Sequence, residues 1–94
     1  MLVGMYQTML RIRAFETKAA DCFTKGMLAG NIHLCIGQEA VPTGACYALE
    51  EGDYMTSTHR GHGHCIAKGA RIDKMLAELF GKETGYCKGK GGSM

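Results

Sequence analysis

Ile72-Asp-Lys-Met-Leu-Ala-Glu-Leu-Phe80 spaces its apolar residues as one face of a helix. Ile72, Met75, Leu76, Leu79 and Phe80 stand at i, i+3, i+4, i+7 and i+8, the full template of an amphipathic helix, and Gly81 supplies the stop. Working outward toward the end of the chain, Gly81, Gly85, Gly89, Gly91 and Gly92 put five glycines within twelve residues, with Lys82, Lys88 and Lys90 between them. In the other direction lies His59-Arg-Gly-His-Gly-His-Cys65, followed by a short helix to Lys68 and Gly69. Tyr54-Met-Thr-Ser-Thr58, after the Gly52-Asp53 turn, has strand propensity.

Further back, the pattern predicts a helix from about Gln38 to Leu49. Glu39 suits the positive end of its dipole, and Pro42 is tolerable in a first turn whose donors lack internal partners. Its packing face is expected to be Val41, Ala45, Ala48 and Leu49, with Ala40 and Gly44 permitting close approach. Leu28 to Ile36 is apolar without helical period and reads as an extended, buried passage carrying His33 inward. The opening segment is helical. Met5, Met9, Ile12, Phe15, Ala19, Cys22 and Phe23 form its dry side, Arg11, Arg13, Glu16, Lys18 and Asp21 its wet side, and Gly26 its stop. The methionines, at helical spacing, are expected in the core, and the cysteines as small core or loop residues.

Helices on one short strand are not a finished architecture, because a lone strand leaves its backbone groups unpaired. The 94 residues can hold one domain at most, and the expectation is part of a larger fold. The 46% hydrophobic content is ordinary for globular protein. Net charge is +2, with four basic and three acidic residues in 1–47 and seven and six in 48–94. So even a spread offers no basic face for nucleic acid, though it suits a phosphorylated small molecule. No apolar run approaches the roughly 20 residues that span a bilayer, so no membrane role is expected. Five cysteines without a C-x-x-C pair or signal peptide read as reduced thiols of a cytoplasmic protein.

His59, His62 and His64 with Cys65 first suggest metal. Zinc sites usually draw ligands from two separated pairs, and Arg60 places a fixed positive charge inside this cluster, so no metal ligand is assigned. A strand ending in Thr-His-Arg-Gly-His-Gly sets an arginine fork beside glycines that let an anion approach the backbone, which reads as phosphate binding. The plainer alternative pairs Arg60 with a neighbouring carboxylate and leaves the histidines as satisfied loop residues. Gln38 and Glu39 read as helix-start and packing residues, and His33 could be a buried histidine bonded to a carbonyl.

Four motifs occur in order: Gly30-Asn-Ile-His-Leu-Cys-Ile-Gly-Gln-Glu-Ala40, Tyr54-Met-Thr-Ser-Thr-His-Arg-Gly-His-Gly63, Met75-Leu-Ala-Glu-Leu-Phe-Gly81 and Gly89-Lys-Gly-Gly-Ser-Met94. Together they resemble the alpha subunits of the thiamine-diphosphate-dependent first component of the pyruvate and acetoin dehydrogenase complexes, from Tyr6 to Met94. The resemblance implies an α/β thiamine-diphosphate-binding fold, with residues 1–94 the N-terminal part of that domain, mostly helical with one short strand. Arg60 matches an arginine that binds the diphosphate. His59 stands where pyruvate-type members have tyrosine, a departure the acetoin-type members share, and Thr58 to His64 leans toward them. His33 matches a histidine near a small substrate, and His62 a second active-site histidine, so both are assigned catalytic roles. Gly89 to Met94 resembles the start of a loop covering the active-site approach.

The same resemblance implies that the cofactor carries the chemistry, cleaving a carbon–carbon bond beside the substrate carbonyl and passing the acyl unit to a lipoyl group. Magnesium would be held by Gly-Asp-Gly and Asn-Asn segments that do not occur here, so this piece is expected to be inactive alone. Its expected partners are a beta subunit, in an alpha2beta2 assembly, and a lipoyl-bearing acyltransferase. A small His/Cys metal-binding module and a structural helical fragment active only in assembly are the alternatives.

Overall fold

A computed structural model describes all residues, 1–94, and contains four helices: α1 (Leu2–Thr24), α2 (Ala40–Tyr47), α3 (His62–Ala67) and α4 (Ile72–Leu79). α1, α2 and α3 pack mutually. The core is Ile12, Phe15, Ala19 and Cys22 of α1, Leu28 and Cys35 of the following loop, Ile66 of α3, and Met75 and Leu79 of α4.

Three helices end in the same device. In α1 the N–H of Gly26 bonds to the Phe23 carbonyl and that of Met27 to Cys22. Gly69 and Ala70 repeat this on Ile66 and Cys65 for α3, and Gly81 and Lys82 on Glu78 and Ala77 for α4. This is the Schellman arrangement, which needs the left-handed backbone that glycine supplies, as at Gly81 with φ 70°. The glycine stops expected from the sequence therefore have a mechanism.

Several expectations are corrected. No strand forms over 54–58, which is irregular and largely exposed. A strand needs a neighbour about 4.8 Å away to take its N–H and C=O groups, and none is present, so propensity alone does not produce one. The α/β character implied by the resemblance is thus not visible within these residues, which are helical. α2 is shorter than expected, and its buried face is Pro42 and Thr43, while Val41 is 68% exposed. Glu39, Pro42, Thr43 and half-buried Cys46 stand at i, i+3, i+4 and i+7. The anchoring of Glu39 on Arg13 of α1 turns that side inward. Glu16, assigned to the wet side of α1, is fully buried.

The passage from Leu28 to Ile36, expected to be extended and buried, is irregular and only partly buried: Leu28 and Cys35 anchor it, His33 is half-buried between them and Ile36 is exposed. Of the methionines only Met75 is in the core, and Met1, Met27 and Met94 are exposed. Gly63 lies buried where α3 meets the loop and α2. A Cβ there would stand 2.7 Å from Cys35 Sγ and 3.1 Å from Pro42 Cγ, so the close approach requires glycine.

Candidate functional site

The loop 30–37, the stretch 57–63 and Ser93 are brought together by side-chain contacts. There the rings of His33 and His59 meet edge to face, centroids 4.6 Å apart. Arg60 is exposed, and its one side-chain hydrogen bond donates from Nη1 to the Leu34 carbonyl at 2.8 Å. No carboxylate pairs with it; the arginine ion pairs are Arg13–Glu39 and Arg71–Asp73. The plainer reading, in which a carboxylate neutralises Arg60, is therefore not what the fold builds. His33, His59 and Arg60 thus come together across 27 residues of sequence by way of the Leu34 backbone.

His62 is placed differently. It is 5% exposed, at the start of α3, with the Phe15 ring edge-on to it. Its Nδ1 lies 2.6 Å from Glu16 Oε1, and its Nε2 lies 2.9 Å from Ser93 Oγ. Ser93 Oγ in turn accepts the His33 backbone N–H at 3.3 Å. The second oxygen of Glu16 accepts the N–H of Cys35. His64 turns elsewhere, to Ser57 Oγ. The three clustered histidines thus serve three different partners, and no group of three His, Cys, Asp or Glu side chains is arranged to hold a metal ion.

Sequence reasoning missed Glu16, Glu78 and Ser93. Glu78, on α4, gathers four backbone N–H groups of the glycine-rich segment: Cys87 and Gly89 on Oε1 at 2.6 and 3.1 Å, Gly91 and Gly92 on Oε2 at 2.7 and 3.1 Å. Burial pushes its pKa up, but these four donors outweigh that and hold the carboxyl below its ordinary value. The segment is folded back against α4, and a Cβ at Gly85 would stand 2.6 Å from the Glu78 backbone. Between this segment, α3 and α4 lies a cleft of about 320 Å³ lined by Phe15, His62, Met75, Leu79, Tyr86 and Ser93 among others. A signal for both glutamates was present. Glu16 stands four residues after Ile12 and three before Ala19, and Glu78 three after Met75, so each falls on the apolar face of its helix.

Two groups flank the site without joining it. Glu39 accepts from Arg13 Nε and Nη2 and from the Gly37 N–H. The Arg13 guanidinium, against the upward push of burial, holds its carboxyl at about 2. Cys35 is buried, and burial pushes its thiol up, reinforced by the charges of Glu16 and Glu39. These are the surroundings of a packed thiol rather than an activated one.

With this geometry established, the sequence comparisons identify the family. The profile of the dehydrogenase E1 component family matches residues 6–94, and the chain belongs to that family. It is 62% identical over 90 residues, 96% of its length, to the alpha subunit of acetoin:2,6-dichlorophenolindophenol oxidoreductase of Bacillus subtilis. Identity to the protein of the same name from Cupriavidus necator is 47% over 99% of the chain. It is also 47%, over 99% of the chain, to the pyruvate dehydrogenase E1 component subunit alpha of Porphyra purpurea. The chain spans 27%, 28% and 27% of the lengths of these three relatives.

Proposed function

We propose that this chain is the N-terminal quarter of the alpha subunit of a thiamine-diphosphate-dependent dehydrogenase, and that His59 and Arg60 form one edge of its diphosphate site. The observation that carries the reading is the free guanidinium of Arg60. It is exposed and unpaired with any carboxylate, and one bond to the Leu34 carbonyl orients it while leaving its other donors available. Such a planar fork suits a diphosphate, which it can bind through paired charge-assisted hydrogen bonds. The residues here fit the diphosphate side of the cofactor alone. Magnesium would be held by residues elsewhere in the subunit.

When bound, the cofactor would supply an electron sink for cleaving a carbon–carbon bond beside a carbonyl. This chain's own residues would bind and orient. Arg60 and His59 would hold the diphosphate. His33, half-buried with its ring against His59, is the histidine within reach of a substrate carbonyl, as a hydrogen-bond donor or proton relay. His62, the second histidine assigned to the site, would act from behind it, since both its ring nitrogens are already engaged. The acyl unit would pass to a lipoyl group on an acyltransferase partner. Exposed Leu2, Val3, Tyr6 and Val41 would be covered within the alpha2beta2 assembly or by the rest of the subunit. Acetoin is the favoured substrate over pyruvate, supported by His59 in place of tyrosine and by the 62% identity to the acetoin-type relative. A cytoplasmic setting agrees with five free cysteines, and no helix is long and apolar enough to cross a membrane.

In the complete subunit, Arg60→Ala should raise the Km for thiamine diphosphate by about tenfold or more, the effect of losing a charged hydrogen bond. An unchanged Km would refute the diphosphate assignment. Calorimetry on the isolated 94-residue chain should detect no thiamine diphosphate binding; magnesium-dependent binding at micromolar concentration would contradict the division of the site.

A further inference from the structure

We propose that Glu16 is a positioning residue: acting through His62 and Ser93, it pins the end of the glycine-rich segment to the backbone of His33. The argument starts from a carboxylate on the apolar face of α1, fully buried. Leaving it unpaired there would be costly, and the fold commits both of its oxygens, one to the Cys35 N–H and one to His62 Nδ1. An ionised carboxylate only accepts, so the proton of that contact sits on Nδ1. In the tautomer with its hydrogen on Nδ1, Nε2 is the acceptor, 2.9 Å from Ser93 Oγ, and the Ser93 hydroxyl donates to it. With its hydrogen so directed, Ser93 Oγ keeps a lone pair for the His33 N–H at 3.3 Å.

The chain of bonds Glu16–His62–Ser93–His33 therefore has one consistent direction, and each member determines what the next can do. It joins α1, α3, the end of the glycine-rich segment and the His33 loop, at sequence separations of 46, 31 and 60 residues. Glu78 holds the same segment from the α4 side, but its bonds stop at Gly92. Ser93, the next residue, is held from the other side. A carboxylate that served only to satisfy the Cys35 N–H would not need an imidazole on its second oxygen, nor would that imidazole need a hydroxyl from the segment's end. The functional meaning rests on the reading above that His33 approaches the substrate; the linkage itself does not.

The reporter is amide hydrogen exchange at His33 in the complete subunit, measured without cofactor so that its outcome is independent of the Km test on Arg60. Ser93→Ala, in the glycine-rich segment and outside the core, should speed exchange at His33 by roughly three- to tenfold, the loss of one hydrogen bond. Ser93→Thr, which keeps the hydroxyl, should restore it. Glu16→Gln turns one of the two acceptor oxygens into an NH2 donor, so the Cys35 N–H and His62 Nδ1–H cannot both keep the oxygen each now meets; it should reproduce the Ser93→Ala effect at His33 while exchange in α4 stays unchanged. The double variant should be no faster at His33 than the faster single variant, because both break one linkage. The proposal is overturned if Ser93→Ala leaves His33 unmoved or if the two effects multiply. It is equally overturned if Glu16→Gln accelerates exchange uniformly, as loss of a merely structural group would.

Discussion

Gly63→Ala tests the packing that brings α3 against the His33 loop, and two opposing terms decide its sign. Alanine is favoured over glycine by about 1 kcal/mol in a helix interior, an upper bound for Gly63, the second residue of α3. Against that, the added methyl would lie 2.7 Å from Cys35 Sγ and 3.1 Å from Pro42 Cγ. Ordinary heavy-atom contact is roughly 3.5–4.0 Å, so the sulfur is overlapped by about 1 Å. Neither neighbour can yield cheaply, since Cys35 is buried and its N–H is tied to Glu16, while Pro42 is rigid and buried in α2. Overpacking of this kind costs about 1–3 kcal/mol, so the net change should be a destabilisation of about 1 kcal/mol. The assay is urea unfolding followed by circular dichroism, for Gly63→Ala, Cys35→Ala and the pair. Removing the Cys35 sulfur should make room for the methyl, so the double variant should be more stable than the sum of the single effects by about 1 kcal/mol. A stabilised Gly63→Ala protein, or additivity within about 0.5 kcal/mol, would refute the reasoning.

Thr43 carries a buried hydroxyl with no hydrogen-bond partner; Thr43→Val should raise stability by about 1 kcal/mol in the same assay, by removing an unsatisfied polar atom at nearly constant shape. Gly89→Ala should open the glycine-rich segment to proteolysis, because its φ is 78° and a Cβ would collide with the Gly81 backbone. Gly92→Ala, with φ 63° but open space around it, should show a milder effect. Because the Glu39 carboxyl is held at about 2 against an ordinary 4.5, its clip to Arg13 stabilises fully above about pH 4.5 and is lost as pH falls through about 2. Acid unfolding should therefore begin at higher pH in Arg13→Ala than in the unaltered protein, and coincident acid limbs would contradict this.

How much was legible in the sequence depends on how local the cause was. α4 and α1 follow from apolar periodicity, and their ends from glycines whose bonds reach only a few residues back. Tyr54 to Thr58 failed because a strand is a property of pairs, and propensity cannot supply the partner. The α2 face failed because its rotation is set by Arg13, 26 residues earlier. Arg60, His59 and His33 were singled out through motif order, and the contacts that bring them together span 26 residues, beyond any local pattern. Glu16 was misassigned because a carboxylate in an amphipathic pattern is ordinarily solvated. Its burial is made tolerable by partners 19 and 46 residues away, the Cys35 N–H and His62.

The Glu78 clamp also bears on the order in which this part of the chain can assemble. Its four bonds close loops of 9, 11, 13 and 14 residues. The entropy lost on closing a loop rises with the logarithm of its length, so these closures are less costly than the 46- and 60-residue ones at Glu16–His62 and Ser93–His33. α4 and the glycine run can thus take shape as a local unit before the remote contacts exist. Ser93 is then delivered in place, one residue past the last amide that Glu78 holds.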